Sequence, residues 1–188
     1  MMLRRVVKVL PLLALVMGLS GCFGSEVRQQ LNICEELDNY DEWIEATVST
    51  QLKYGTPISL SLALLELPLS DLDKKHVRPR AADWDEYRIR SERWGASPHE
   101  AEDAVDFIGW FTQQSGTRNS ISWDDVSAHY LALRLGHGDY QRFDKSKFPE
   151  LNQQAQQVEL RAQRWQRELT ACKQQWQNES WYNKLKFW

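Results

Sequence analysis

The sequence predicts an all-α domain, and three observations carry that expectation. Apolar residues recur at steps of three and four along most of the chain, and no strict alternation long enough for a strand appears. Nine Gly and six Pro in 188 residues leave long stretches free to be helical. Hydrophobic residues at 42% and aromatics at 11%, including nine Trp, are too abundant for a disordered chain. The length suits one domain of ordinary size. A balance of 26 acidic against 23 basic residues, net −3, argues against a nucleic-acid partner.

The first segment reads as an export signal. Arg4, Arg5 and Lys8 form a basic start, and Val9 to Leu19 an apolar run of 11 residues, about half of the ~20 needed to span a bilayer. The run ends in Leu19-Ser20-Gly21-Cys22, which resembles the lipobox of bacterial lipoproteins. The resemblance implies cleavage before Cys22 and acylation of that cysteine, with several chains at ~0.8 kcal/mol per buried methylene making a durable anchor to the membrane. Phe23, rather than Asp, follows the cysteine and is similar to the default for sorting to the outer membrane, facing the periplasm. Removing residues 1–21 takes away three basic residues and no acidic one, so the net charge goes from −3 to −6. With Cys22 lipidated, Cys34 and Cys172 remain as an even pair in an oxidising compartment, and a disulfide between them is expected. Closing so long a loop contributes about 4 to 5 kcal/mol in the chain-entropy model.

Four domain segments follow: the signal peptide (1–21), a lipidated tether with a short helix (22–40), a helical domain (41–172) and an aromatic, basic tail (173–188). Within the domain, Ile44, Val48 and Leu52 lie on one stripe of a helix starting near Asp41 and stopping before Gly55. Thr56-Pro57 reads as an N-cap followed by Pro at the first helical position, opening the apolar run Ile58 to Leu67 that Pro68 ends. Residues 69–83 carry no period and read as loop. Ser97 with Glu100 forms a capping box ahead of the stripe Ala101, Ala104, Val105, Ile108 and Phe111. Ser122 with Asp125 makes a second such start, leading to Val126, Tyr130 and Leu133, and Gly136-His137-Gly138 ends that helix. A long last helix from about Pro149 carries Leu151, Ala155, Val158, Ala162, Trp165, Leu169, Cys172 and Trp176 on its apolar side.

Three words in these helices resemble one family. Trp84-Asp85-Glu86-Tyr87, then Ala101-Glu102-Asp103-Ala104-Val105-Asp106-Phe107-Ile108-Gly109-Trp110, then Tyr130-Leu131-Ala132 running into Gly136-His137-Gly138-Asp139-Tyr140, are similar to a branch of the lysozyme-like superfamily. That branch holds bacterial lipoproteins related to the soluble lytic transglycosylases, and the resemblance covers roughly Cys34 to Cys172. It implies a lysozyme-like helical bundle with a long C-terminal helix around a saccharide groove, with peptidoglycan as substrate. It also implies a single catalytic Glu at the end of a buried helix, no cofactor and no metal. Possible groove residues are Trp84, Tyr87, Tyr130, Arg134, His137 and Tyr140.

The chain departs from the family pattern where chemistry is concentrated. Aligning Ala63-Leu64-Leu65 with the family's catalytic helix puts Pro68 where the acid belongs. The stretch from Leu69 to Asp83 is too short for the groove-lining segment that normally follows. Leu133 and Arg134 replace a Tyr and an Asn ahead of the retained glycines. Glu66 is the carboxylate that could substitute, since its Leu neighbours would raise its pKa. It lies two residues early, a rotation of about 200° on a helix, and shares a face with Ser59, which suggests a solvated edge. The expected protein is therefore a cell-envelope lipoprotein with an inactive lytic-transglycosylase-like domain that binds peptidoglycan or an envelope protein. The alternatives are an active murein lytic enzyme using Glu66 and an assembly or inhibitory factor without glycan contact. The four His residues have no metal-ligand spacing, and His137 reads as a cation at a helix C-terminus. Trp43, Trp84, Trp110, Trp123 and Trp165 read as core, whereas Trp176, Trp181 and Trp188 belong to a tail that either folds back or docks.

Overall fold

Nine consecutive residues, Ala104 to Thr112, are buried on every side of one helix. A surface helix buries only a stripe, so this one must be central. The structure is a computed structural model in which residues 41–65 and 79–172 are described, all within one compact unit spanning Asn32–Trp188. Among the described residues there are seven α-helices and no strand: α1 (Asp41–Tyr54), α2 (Ile58–Leu64), α3 (Ala81–Arg90), α4 (Ala101–Asn119), α5 (Val126–Leu135), the single turn α6 (His137–Tyr140) and α7 (Pro149–Cys172). The all-α expectation holds. Helix α4 touches α1, α2, α3, α5 and α6, while α7 closes the bundle against α2 and α5.

Helices α1 and α4 meet at Gly109, where a Cβ would collide with Thr50 Cγ2 and Tyr54 Cδ2. This close approach corrects the stripe predicted for α1. Ile44 and Val48 are buried, but Leu52 is 59% exposed, because Thr47, Thr50 and Tyr54 turn towards α4 instead. Thr56 is also reassigned. Its hydroxyl does not cap α2 but pairs with Thr112 Oγ1 at 2.9 Å, and Ile58 N–H instead donates to Gln51 Oε1 at 3.2 Å. Every residue of α2 is buried, Ser59 included, so the solvated edge inferred for that face is not present at Ser59. Arg161 of α7 donates to Ala63 O at 3.4 Å, tying α7 to the C-terminal end of α2.

Two helix starts fall three or more residues later than the capping patterns place them. Ser97 to Glu100 forms a turn, with Asp103 Oδ2 accepting from Ser97 N–H at 2.8 Å, and α4 begins at Ala101. Likewise Asp125, not Ser122, caps α5, its Oδ1 accepting from Ala128 N–H at 2.9 Å. The segment read as loop through residue 83 is helical from Ala81. Gly136 ends α5 with φ +82°, and Arg80 lies where its Cβ would be. Trp43, Trp84, Trp110 and Trp165 are core as expected, but Trp123 is 36% exposed and stacks on His129. The predicted α7 stripe is buried at Ala155, Val158, Ala162, Trp165 and Cys172.

Candidate functional site

Buried in the middle of α4 is a charge that the apolar helix cannot satisfy alone, Asp106. Its Oδ1 accepts from Lys53 Nζ at 2.8 Å, and its Oδ2 from Tyr87 Oη at 2.8 Å and Tyr54 Oη at 3.1 Å. Arg93 Nη1 lies 3.6 Å from Oδ2, and its guanidinium also holds Asp103 at 2.6 Å. Burial and the adjacent Asp106 carboxylate push the Tyr87 hydroxyl up, so it stays a donor. Tyr87 joins this carboxylate to an aromatic group with Trp84, Phe107 and Trp110, whose paired ring centroids are 5.2–6.2 Å apart. The result is an anion held on both oxygens, with the geometry of a structural hub.

A second cluster lies where α3, the end of α4 and α6 meet. Arg118 donates to Glu86 Oε1 at 2.5 Å and Oε2 at 3.3 Å, and this contact, ahead of the burial that opposes it, holds the Glu86 carboxyl below its usual range. Arg118 Nη1 also lies 3.5 Å from His137 Nδ1. An arginine only donates, so Nδ1 accepts and the ring proton sits on Nε2, 2.9 Å from Ser115 Oγ. His137 stacks on Phe111 at 4.3 Å. Burial first, then the Arg118 charge, push its pKa down to about 4. The expected cation at a helix C-terminus is thus a neutral, buried ring at the start of α6. Asp83, on the first turn of α3, is pushed up by burial against the opposing charge of Arg80, whose Nε is 3.4 Å away.

The predicted groove residues scatter. Trp84, Tyr87, Tyr130 and His137 are buried in packing or hydrogen bonds, Tyr130 donating to Gln154 Oε1 at 3.2 Å. Arg134 is exposed, and Tyr140 is half-buried beside a pocket of about 350 Å³. Glu66, Cys22 and Cys34 lie outside the described residues, as does the tail beyond Cys172; Cys172 is fully buried. The sequence alone missed Asp106, Asp83 and Arg118. The available signal for Asp106 was a carboxylate between Val105 and Phe107 in the middle of an apolar run. Among the described residues no group of three His, Cys, Asp or Glu could hold a metal ion, and no helix is long and apolar enough to cross a membrane.

A family model described as the transglycosylase SLT domain matches residues 10–80 and 73–172. No curated protein and no solved structure matches the chain.

Two predictions follow from the buried charges. Asp106→Ala should destabilise the domain by about 2–3 kcal/mol, read from urea unfolding. Half-exposed Lys53 can regain water, so the loss comes chiefly from the two tyrosine hydroxyls and Arg93. The second concerns pH. Burial also pushes His129 down to about 4, its Nε2 donating to Ser122 O at 3.1 Å and its Nδ1 buried without a partner. For His129 and His137 the unfolded chain takes protons that the fold refuses. Their stabilisation is complete above about pH 6.5, declines as pH falls and is gone near pH 4, up to about 3 kcal/mol each. The urea midpoint should therefore drop between pH 7 and 4.5, and His137→Gln should flatten that slope.

Proposed function

Because the chain belongs to the transglycosylase SLT domain family, with its all-α lysozyme-like fold and a peptidoglycan-related function in general, we propose that its domain is catalytically inactive. In this reading it binds peptidoglycan or an envelope protein, anchored through a lipidated Cys22 to the outer membrane and facing the periplasm. A Cys34–Cys172 disulfide ties the two ends of the domain together.

One observation carries the inactive reading. Asp106, the carboxylate buried in the core of the described bundle, has both oxygens engaged by Lys53, Tyr54 and Tyr87. A general acid must hold a proton and give it to the glycosidic oxygen; a carboxylate with cationic and hydroxyl donors on both oxygens does neither. Pro68 at the position of the family's acid supports the same reading from sequence. A second reading, an active murein lytic transglycosylase, draws on Asp83, whose carboxyl is pushed up as a general acid requires, and on Glu66. Asp83 is held beside Arg80 at the start of a helix, where both influences favour its anion.

The test is a pull-down of the full chain on insoluble peptidoglycan. Retention at physiological salt is expected, with Cys22→Ala shifting the protein from the membrane to the soluble fraction without loss of retention. Absence from the pellet would instead favour a factor that acts without glycan contact.

A further inference from the structure

The pocket of about 350 Å³ at the C-terminal end of α4 is walled by Arg118, Asn119, Ser120, Tyr140, Gln141, Phe143 and Lys145. Its volume is at the lower end of the range that small-molecule sites occupy. Asn119 Nδ2 is spent on His137 O at 3.1 Å while its Oδ1 is buried without a partner, and Gln141 Nε2 is spent on Arg118 O at 3.4 Å. The Ser120 and Tyr140 hydroxyls and the Lys145 ammonium make no hydrogen bond or ion pair among the described residues. Of the acidic groups near Lys145 in sequence, Asp144 pairs with Lys147 at 3.6 Å and Asp139 with Arg142 at 2.7 Å, Glu150 is exposed, and the charge of Asp125 bears on Tyr140. Arg118 is paired with Glu86, so Lys145 is the cation of the wall without an ion pair among the described residues.

An anion at a helix C-terminus normally meets the negative end of the dipole. Here two carbonyls of the last turns are covered. Ser115 O accepts from Ser120 N–H, and Arg118 O from Gln141. Phe143 stacks one ring face on Phe148 at 5.5 Å and contributes an apolar part of the wall. Unspent donors, a cation without an ion pair among the described residues and an apolar wall together select a ligand with an oxyanion and a nonpolar flank.

We propose that this pocket binds a small carboxylate ligand, its carboxylate on Lys145, Tyr140 and Ser120 and its apolar part against Phe143. A carboxylate of this kind ends a peptide or belongs to an acidic sugar. The site stands apart from the Asp106 hub, and the proposal does not rest on the peptidoglycan reading. The test is titration of the full chain, followed by calorimetry and amide NMR shifts, with N-acetyl-alanine against N-acetyl-alaninamide and with glucuronate against glucose. At least one acid should bind ten-fold or more tightly than its neutral counterpart, moving resonances of Ser120, Tyr140 and Gln141. N-acetyl-alanine alone would identify a peptide end and glucuronate alone an acidic sugar. Lys145→Gln, on an exposed 3-10 turn, should erase the discrimination and leave the urea midpoint unchanged. Equal binding of acids and neutral counterparts, no shifts at the pocket, or discrimination that survives Lys145→Gln would overturn the proposal.

Discussion

The bundle depends on the way Asp106 is neutralised. A carboxylate in the middle of a buried helix has no helix terminus to draw on, and leaving it unpaired would cost several kcal/mol. Donors therefore have to come from outside α4, and they come from three places: Lys53 and Tyr54 at the end of α1, Tyr87 in α3, and Arg93 in the turn after it. Each of these contacts fixes the register of its own segment against α4. The close approach at Gly109 that brings Tyr54 within reach is part of the same arrangement. So is the aromatic group formed by Trp84, Tyr87, Phe107 and Trp110, which Tyr87 links to the carboxylate.

That arrangement also decides the chemistry available. Lytic cleavage needs one carboxyl group that can carry a proton beside a sugar. The hub holds the buried Asp106 carboxylate on both oxygens, and the second ion pair, Glu86 with Arg118, holds another carboxyl below its usual range. His137 is stacked, buried and neutral. In the described bundle these ionisable groups are engaged in hydrogen bonds, ion pairs and packing. The pocket at Ser120, Tyr140 and Lys145 is open to solvent, and those three side chains make no hydrogen bond or ion pair among the described residues.

The helices were legible because their apolar spacing survives in sequence, most clearly over Ala101 to Phe111 and Ala155 to Trp165. Their beginnings were harder to read. Ser97 and Ser122 each open a turn rather than a helix, and from sequence a Ser that starts a turn cannot be told from a Ser that caps. Leu52 was misplaced because periodicity does not see a glycine on another helix, Gly109, that rotates the packed face. His137 looked like a terminal cation because Gly136 marks a helix end, but the next turn carries the ring inward against Phe111. Of the pocket only Tyr140 lay in a word read from the sequence; residues 118–120 and 141–145 belong to no motif, and all of them meet only through the ends of α4 and α6. The proposals of a lipid anchor and a disulfide rest on the order of the cysteines in the sequence.

The sharpest measurement is digestion of purified peptidoglycan by the full chain, with the soluble products analysed by mass spectrometry. A domain whose buried carboxylate is committed to structure should release no anhydro-muropeptides above a no-protein control. Anhydro products formed by the wild type and lost in Glu66→Gln or Asp83→Asn would contradict this account.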